Sequence, residues 1–325
     1  MFKITIRENE SGQRLDRFLR KLLRQAPLSR IYRIIRKDLK VNGRRAKEET
    51  MLREGDELTF YMPEEQFEAF AAAPKKRTAR RQFGIVYEDS CVLIVNKPAG
   101  LLTHGDSSEK RNTLVNQVCG YLQAKDEYDP AEERTFRPAP VNRLDRNTSG
   151  LVVFGKTAEA LRSLTALFRE RDNVRKDYLT IVCGCLRDEL ILNEALVKDA
   201  ATGNVHVADG EEGRSALTIA RPVRAGRRFT LVEVELATGR THQIRVHLAA
   251  AGHPLAGDPR YGDPKVNEQL RKHGISTQLL HARRLSFGTL SGPLAGLSEK
   301  TVEAELPDRF ERAGKELIGG TYEIK

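Results

Sequence analysis

No run of apolar residues in the sequence approaches the roughly 18 that a membrane-spanning helix requires. A helical membrane protein is therefore not expected, and neither is a membrane partner. The first ten residues, MFKITIRENE, alternate apolar and polar side chains and lack the apolar stretch of a secretory signal. They read as a strand, and the expected location is cytoplasmic. Cysteine is scarce: Cys91, Cys119, Cys183 and Cys185 form no CxxC pair. In a chain of this size that points to buried thiols rather than a disulfide framework. Cys183 and Cys185 are expected on one strand face, but nothing nearby completes a ligand set. His242, His247 and His253 lie five and six residues apart, not the four that stacks two imidazoles on one helix face. No metal is expected. Internal repeats are missing too.

What is present is positive charge, unevenly spread. Residues 1–84 hold 21 Lys and Arg against 12 Asp and Glu, whereas residues 85–325 hold 34 against 33. Nearly all of the net +10 thus sits in the first quarter of the chain. A polyanion gains from a concentrated basic surface through counterion release, while evenly mixed charge only solubilises. Nucleic acid is the expected partner. At 325 residues, two or three folding units are the reasonable prior.

From Arg14 to Gln25 the apolar positions Leu15, Phe18, Leu19, Leu22 and Leu23 fall on one helical face. Pro27 ends that pattern, and Ser29 is the expected N-cap of a second helix burying Ile31, Ile34 and Ile35. Arg30, Arg33, Arg36 and Lys37 then project outward. Leu39-Lys40-Val41 leads into Asn42-Gly43, a tight-turn pair, and a strand near Glu57–Tyr61 closes the unit. Residues 63–84 read as a basic linker, because KKRTARR carries five basic residues in seven and little to bury.

From Gly84 onward GIVYED, CVLIVNKP and LVVFG read as strands, joined by others at 178–184, 229–236 and 285–287. A helix is expected from Thr157. Helices intervene without regular βαβ alternation, which predicts an α+β domain with a largely antiparallel mixed sheet and flanking helices. One motif within this region is a decoy. Gly150–Thr157 matches GxxxxGK[ST], but Leu151, Val152, Val153 and Phe154 are bulky strand formers and leave no flexible loop to wrap a phosphate.

The stretch Pro140–Leu151 packs Asp145, Asn147, Thr148, Ser149 and Gly150 between arginines just ahead of a buried strand. Taken alone, Asp145 between Arg143 and Arg146 is an ordinary surface ion pair. NRLDRNTSGL, however, resembles the [HN]RLDxxTSGL signature of RluA-type pseudouridine synthases, whose aspartate is catalytic. Asn142 stands where many members carry His, a departure that bears on subgroup more than on activity. RKDYL followed by Gly184 resembles the segment whose tyrosine, here Tyr178, stacks on the target uracil. GRTHQIRVHL, continuing through GHPLAGDPRYG, resembles the RTHQIRxHL segment, whose second arginine, here Arg245, pairs with the aspartate. With LVNKPAGLLTH ahead of them, these matches span about residues 85–305.

Upstream, RLDRFLRKLL, SRIYRIIRKDLKVNGRR and LREGDEL resemble the S4 RNA-binding domain over about residues 12–62. That resemblance implies phosphate contacts for Arg30, Arg33, Lys37, Arg44 and Arg45, which position RNA without reading its bases. The expected organisation is an S4-like α/β domain at 1–62, a linker at 63–84 and a catalytic domain at 85–325.

The implied reaction breaks the uridine N1–C1′ bond and joins C1′ to C5. The base must leave its stack first. Tyr178 would replace the lost stacking, Arg143 would fill the gap in the RNA, and Ile244 and Leu248 would touch the substrate. A carboxylate drawn into a cleft drifts toward neutrality unless a permanent cation accompanies it. If Thr241 caps a helix ending near Gly252, Arg245 and Leu248 share a face and reach one pocket. The resemblance implies no metal or organic cofactor, and a monomer is expected. The substrate class it implies first is large-subunit ribosomal RNA, with transfer RNA second. A noncatalytic RNA-binding or ribosome-assembly factor is the alternative from another class. The joint presence of Asp145, Tyr178 and Arg245 argues against it, since binding a polyanion does not require a carboxylate.

Overall fold

The structure is a computed structural model that describes residues 1–71, 79–170, 172–199, 202–210 and 213–319. The N-terminal unit opens with β1 (Phe2–Thr5), β2 (Gln13–Arg14), α1 (Leu15–Leu22) and α2 (Leu28–Arg33). A wider helical turn, Ile34–Asp38, extends α2 and is followed by β3 (Leu39–Val41), β4 (Met51–Leu52) and β5 (Glu57–Phe60). β5 lies between β1 and β3, and β2 pairs with β4. The apolar faces of both helices close on this small sheet: Leu15, Phe18, Leu19, Ile34, Leu58 and Phe60 are all fully buried. Asn42 and Gly43 both take positive φ, as a tight turn of this kind demands.

Two details differ from the sequence expectation. Pro27, not Ser29, caps α2: its carbonyl accepts from the amides of Arg30 and Ile31, and its ring sets the entry angle. The span read as linker also begins with a helix, α3 (Glu64–Ala71). Phe67 and Phe70 dock on the N-terminal core, with Phe67 edge-on to Phe2 and Phe60 at 4.5 and 5.2 Å between ring centroids. The basic run at 75–81 colours the reading of the whole span and hides two aromatic anchors in a helix that itself carries three Glu and no Lys or Arg. Residues 75–78 of the KKRTARR stretch lie outside the described residues.

The second unit runs β6 (Gly84–Glu88), β7 (Val92–Lys97), α4 (Leu114–Ala124), β8 (Ala139–Pro140), β9 (Ser149–Gly155), α5 (Ala158–Glu170) and β10 (Val174–Cys183). It continues with β11 (Leu190–Leu192), β12 (Leu196–Lys198), β13 (Val205–Val207), β14 (Thr218–Ala225), β15 (Phe229–Leu236) and α6 (Gln243–Ala250). α7 (Pro264–Lys272), β16 (Leu280–Phe287), β17 (Thr301–Glu303) and α8 (Asp308–Ile318) complete it. Eight strands stand in the order β11-β14-β15-β10-β16-β9-β7-β6, with β17 beside β16 and β8 beside β9. Among the described residues, β16–β9 is the parallel pair and the other neighbours are antiparallel. The expected α+β class, with a largely antiparallel sheet and flanking helices, is the one observed.

Strand periodicity divides the core in two. Leu93, Val95, Val152, Phe154, Tyr178, Val182, Val232 and Val234 face α4 and α6. Their neighbours Val92, Ile94, Leu151 and Val153 face α5, while Leu179, Ile181 and Leu231 face α7 and α8. Burial on both faces explains why these strands read as continuous apolar runs. The decoy motif lies on β9, whose seven residues are all buried. Lys156 is consumed by Glu88 at 3.1 Å, Glu127 at 2.5 Å and the Asp89 carbonyl.

The two units touch through polar groups. The Asn9 side-chain carbonyl accepts from the Ala158 amide at 2.9 Å, satisfying an open donor at the start of α5, and Arg7 pairs with Glu132 at 2.6 Å. Among the described residues no helix is long and apolar enough to cross a membrane. Cys183 is buried but Cys185 is exposed, because Gly184 takes φ +91° and breaks the alternation that would have put both on one face. Among the described residues no cluster of three His, Cys, Asp or Glu has metal-binding geometry.

Candidate active site

Asp145 sits in the loop between β8 and β9, and that loop is clamped from behind. Thr103 bonds the Leu144 backbone twice, donating to its carbonyl at 3.0 Å and accepting from its amide at 3.3 Å. The Lys97 ammonium, fully buried, donates to the carbonyls of Pro98, Leu101 and Arg146 at 3.0, 2.8 and 3.1 Å. Three acceptors match its three protons. Burial draws its pKa down to about 7, and the negative charge of Asp145 opposes that fall. Gly150 follows with φ +113°, where an added Cβ would stand 2.1 Å from the Ala282 carbonyl oxygen. Only glycine lets β9 approach β16 this closely.

Arg245 comes from α6, one hundred residues away in sequence. Its Nη1 donates to Asp145 Oδ2 at 2.8 Å, while Nε and Nη2 grip Asp258 at 2.7 and 2.9 Å. Asp258 is fully buried. Burial pushes its pKa up, but the Arg245 guanidinium and the amides of Arg260 and Tyr261 outweigh that and hold it below the ordinary carboxylate range. Burial works against the Arg245 charge, yet the two aspartates raise its pKa above the usual arginine value. A permanent cation therefore faces Asp145. The helix itself begins one residue later than expected: His242, in the left-handed conformation, occupies the N-cap instead of Thr241. The reason lies in Gln243, whose side-chain carbonyl oxygen accepts from the Thr238 hydroxyl and the Arg240 amide and draws the preceding chain into a sharp turn.

Tyr178 stands at the middle of β10, opposite Val234 on β15 and Ala282 on β16, beside a bulge in the β10–β16 ladder. Burial, and secondarily Asp145, push its phenol pKa well up, so it remains a neutral O–H. Asp145, Tyr178 and Arg245 open together into one cleft of about 360 Å³, walled by Leu236, Ile244 and Leu280 and flanked by Phe168 and Lys176. That is room for a flipped base. Arg143 is exposed at its rim.

Leu248 does not reach the cleft. It is fully buried in the core with Ile244, because the turn between them keeps the same face but carries Leu248 about 6 Å further along the helix axis, beyond the residues that line the cleft. In the N-terminal unit Arg33, Lys37, Arg44 and Arg45 are exposed, whereas Arg30 is half-buried and donates to Gln66 on α3 at 2.7 Å. Sequence reasoning assigned no role to Lys97, His242, Asp258 or Tyr261. GDPRYG carried Asp258 and Tyr261 in plain sight, but no local pattern says which distant cation an aspartate meets.

The RNA pseudouridylate synthase profile matches residues 91–250, a span that contains the Asp145 loop, Tyr178 and Arg245. A ribosomal large subunit pseudouridine synthase C of Vibrio vulnificus is 34% identical over 93% of this chain and 95% of its own length. Its namesake in Escherichia coli O157:H7 is 36% identical over 97% and 96%. The chain belongs to the RNA pseudouridylate synthase family. The fold agrees. Human RNA pseudouridylate synthase domain containing 4 superposes with a TM-score of 0.57 at 24% identity, over 72% of this synthase and 92% of the human chain. Human RNA pseudouridylate synthase domain containing 1 gives 0.53 over 70% and 84%. Membership makes the chain an RNA-modifying isomerase, and RNA is its partner.

Proposed function

We propose that this synthase isomerises specific uridines of large-subunit ribosomal RNA, with Asp145 as the carboxylate that acts on the flipped nucleoside. The observation that carries this reading is the convergence of Asp145, Arg245 and Tyr178 on one cleft with apolar walls. The reaction conserves every atom of the base: N1–C1′ breaks, C1′–C5 forms, and the C5 proton leaves as N1 gains one. It therefore needs no co-substrate. It needs a carboxylate near C1′ and a cavity that shields the detached uracil from water.

In this assignment Arg245 orients Asp145 and keeps a positive charge beside it. Tyr178 presents a flat ring to the uracil and a neutral hydroxyl near C5, and Ile244 closes the pocket edge. Arg143, at the rim, enters the gap that the nucleotide leaves in the RNA. Residues 1–62 act as an S4-like RNA-binding domain through Arg33, Lys37, Arg44 and Arg45, with Arg30 partly committed to α3. The ribosomal substrate class follows the relatives named for it, which align over nearly the whole chain.

The test is tritium release from ribosomal RNA labelled at uridine C5. Wild-type protein should release tritium, and Asp145→Asn should lose roughly 10²–10⁴-fold in rate while still binding RNA. Equal release by both proteins would remove Asp145 from the reaction.

A further inference from the structure

His242 is one of four non-glycine residues with positive φ among the described residues, at φ 54° and ψ 18°. Such a conformation costs energy and persists only where the surroundings impose it. Here it aims the imidazole at the site: Nε2 lies 3.7 Å from Asp145 Oδ2, while Nδ1 lies 2.9 Å from the Tyr261 hydroxyl. That hydroxyl also accepts from the Val205 amide on β13 at 3.2 Å. With its oxygen already accepting a hydrogen bond from the Val205 amide, the hydroxyl is set to donate its own hydrogen to Nδ1. An Nδ1 that accepts leaves the hydrogen on Nε2, pointing toward the carboxylate. The other end of the ring selects the same tautomer, because a bare Nε2 lone pair facing Asp145 would be repelled. Burial keeps the ring neutral by lowering its pKa; Asp145 and Asp258 oppose that effect, and Arg245 and Arg260 assist it.

Tyr261 serves both of the groups that face Asp145. Its hydroxyl meets His242, its ring lies 5.1 Å under the Arg245 guanidinium, and its amide donates to Asp258 at 3.2 Å.

We propose that His242 is a positioning residue for the reaction: Val205 and Tyr261 hold it as the neutral Nε2–H tautomer, which offers Asp145 a second donor beside Arg245. The two donors fix the rotation of the carboxylate about its Cβ–Cγ bond. At 3.7 Å the pair stands just beyond hydrogen-bond length, a looseness common in catalytic contacts before substrate binds and removed in the Michaelis complex. This assignment rests on Asp145 being the reacting carboxylate. It also ties the β12–β13 hairpin, which supplies Val205, to the geometry of the reacting group.

Two measurements on the full chain test it. The first is the ¹⁵N shifts of the imidazole nitrogens in histidine-labelled protein, with the His242 signals assigned by their loss in His242→Gln. Nε2 should be protonated and Nδ1 bare, and Tyr261→Phe should shift that population. A protonated Nδ1, or an imidazolium at neutral pH, overturns the proposal. This result does not depend on turnover, so it stands apart from any failure of the proposed reaction.

The second is steady-state tritium release. Tyr261→Phe keeps the ring against Arg245 and should lower kcat about ten-fold with KM nearly unchanged. Glutamine at 242 reproduces the Nε2 donor, whereas asparagine reproduces only tolerance of the left-handed backbone. His242→Gln should therefore be the faster enzyme. If His242→Asn is faster, His242 serves the turn and not the carboxylate.

Discussion

Asp258 holds Arg245 by two parallel hydrogen bonds, 2.7 Å to Nε and 2.9 Å to Nη2, and leaves Nη1 as the edge that reaches Asp145. A guanidinium gripped in this way cannot rotate, so its third donor is aimed before any substrate arrives.

Neutralising that anchor should unsettle both the fold and the reaction. Asp258→Asn leaves a buried cation short of one partner, which is expected to cost about 3 kcal/mol in urea unfolding. Tritium release should fall roughly 10–100-fold, as when the partner of a reacting group is removed. Arg245→Lys should also fail, because a lysine cannot serve two carboxylates with a planar fork. A variant at position 258 with wild-type rate and midpoint would show that the Asp258 grip is dispensable.

Gly150 offers a steric test. A Cβ there meets the Ala282 carbonyl oxygen at 2.1 Å, and the backbone has φ +113°. Gly150→Ala should cost more than about 3 kcal/mol and misplace the Asp145 loop. An unchanged unfolding midpoint would mean that β9 and β16 separate easily.

His281 links acidity to stability. It is fully buried on β16, bonded to the Ser149 hydroxyl at 2.8 Å, and burial lowers its pKa to about 4. The unfolded chain takes up this proton near pH 6.5, whereas the folded chain waits until about pH 4. Stability contributed by the neutral ring is thus complete above pH 6.5 and drains away as pH falls to 4. The loss amounts to up to about 3 kcal/mol. Denaturant titrations of wild type and His281→Gln across that window should diverge in slope, with the variant flatter. Parallel curves would contradict the assignment.

Salt dependence reads the N-terminal surface. Arg33, Lys37, Arg44 and Arg45 are exposed on the extended α2 helix and around the Asn42-Gly43 turn. Replacing each with Gln should reduce the slope of log affinity against log salt by about 0.7–0.9 for each phosphate left unneutralised. Slopes that stay constant through all four substitutions would place the RNA elsewhere.

Much of the local structure was legible in the chain. The apolar spacing of Leu15, Phe18, Leu19 and Leu22 specifies α1, the run Leu151–Phe154 specifies a strand buried on both faces, and Asn42-Gly43 specifies its turn. What failed was local in a different way. Ser29 lost the cap of α2 to Pro27, whose ring needs no hydrogen bond to set the chain direction. Phe67 and Phe70 were overlooked beside a basic run, because composition averages over the two side chains that find a core.

By itself the sequence determined many of the elements and the charge asymmetry, because short-range sterics are written in consecutive residues, and the family resemblance of three motifs marked Asp145, Tyr178 and Arg245 as candidates. Only the folded chain decided that Asp258 would grip Arg245, that Lys97 would bind three carbonyls under the Asp145 loop, and that Leu248 would pack on the sheet beyond the cleft. The two polar outcomes depend on which buried group meets which partner across as many as 49 residues, and Leu248 follows from how α6 packs on the sheet. Desolvation makes such pairings obligatory, and only packing chooses among them.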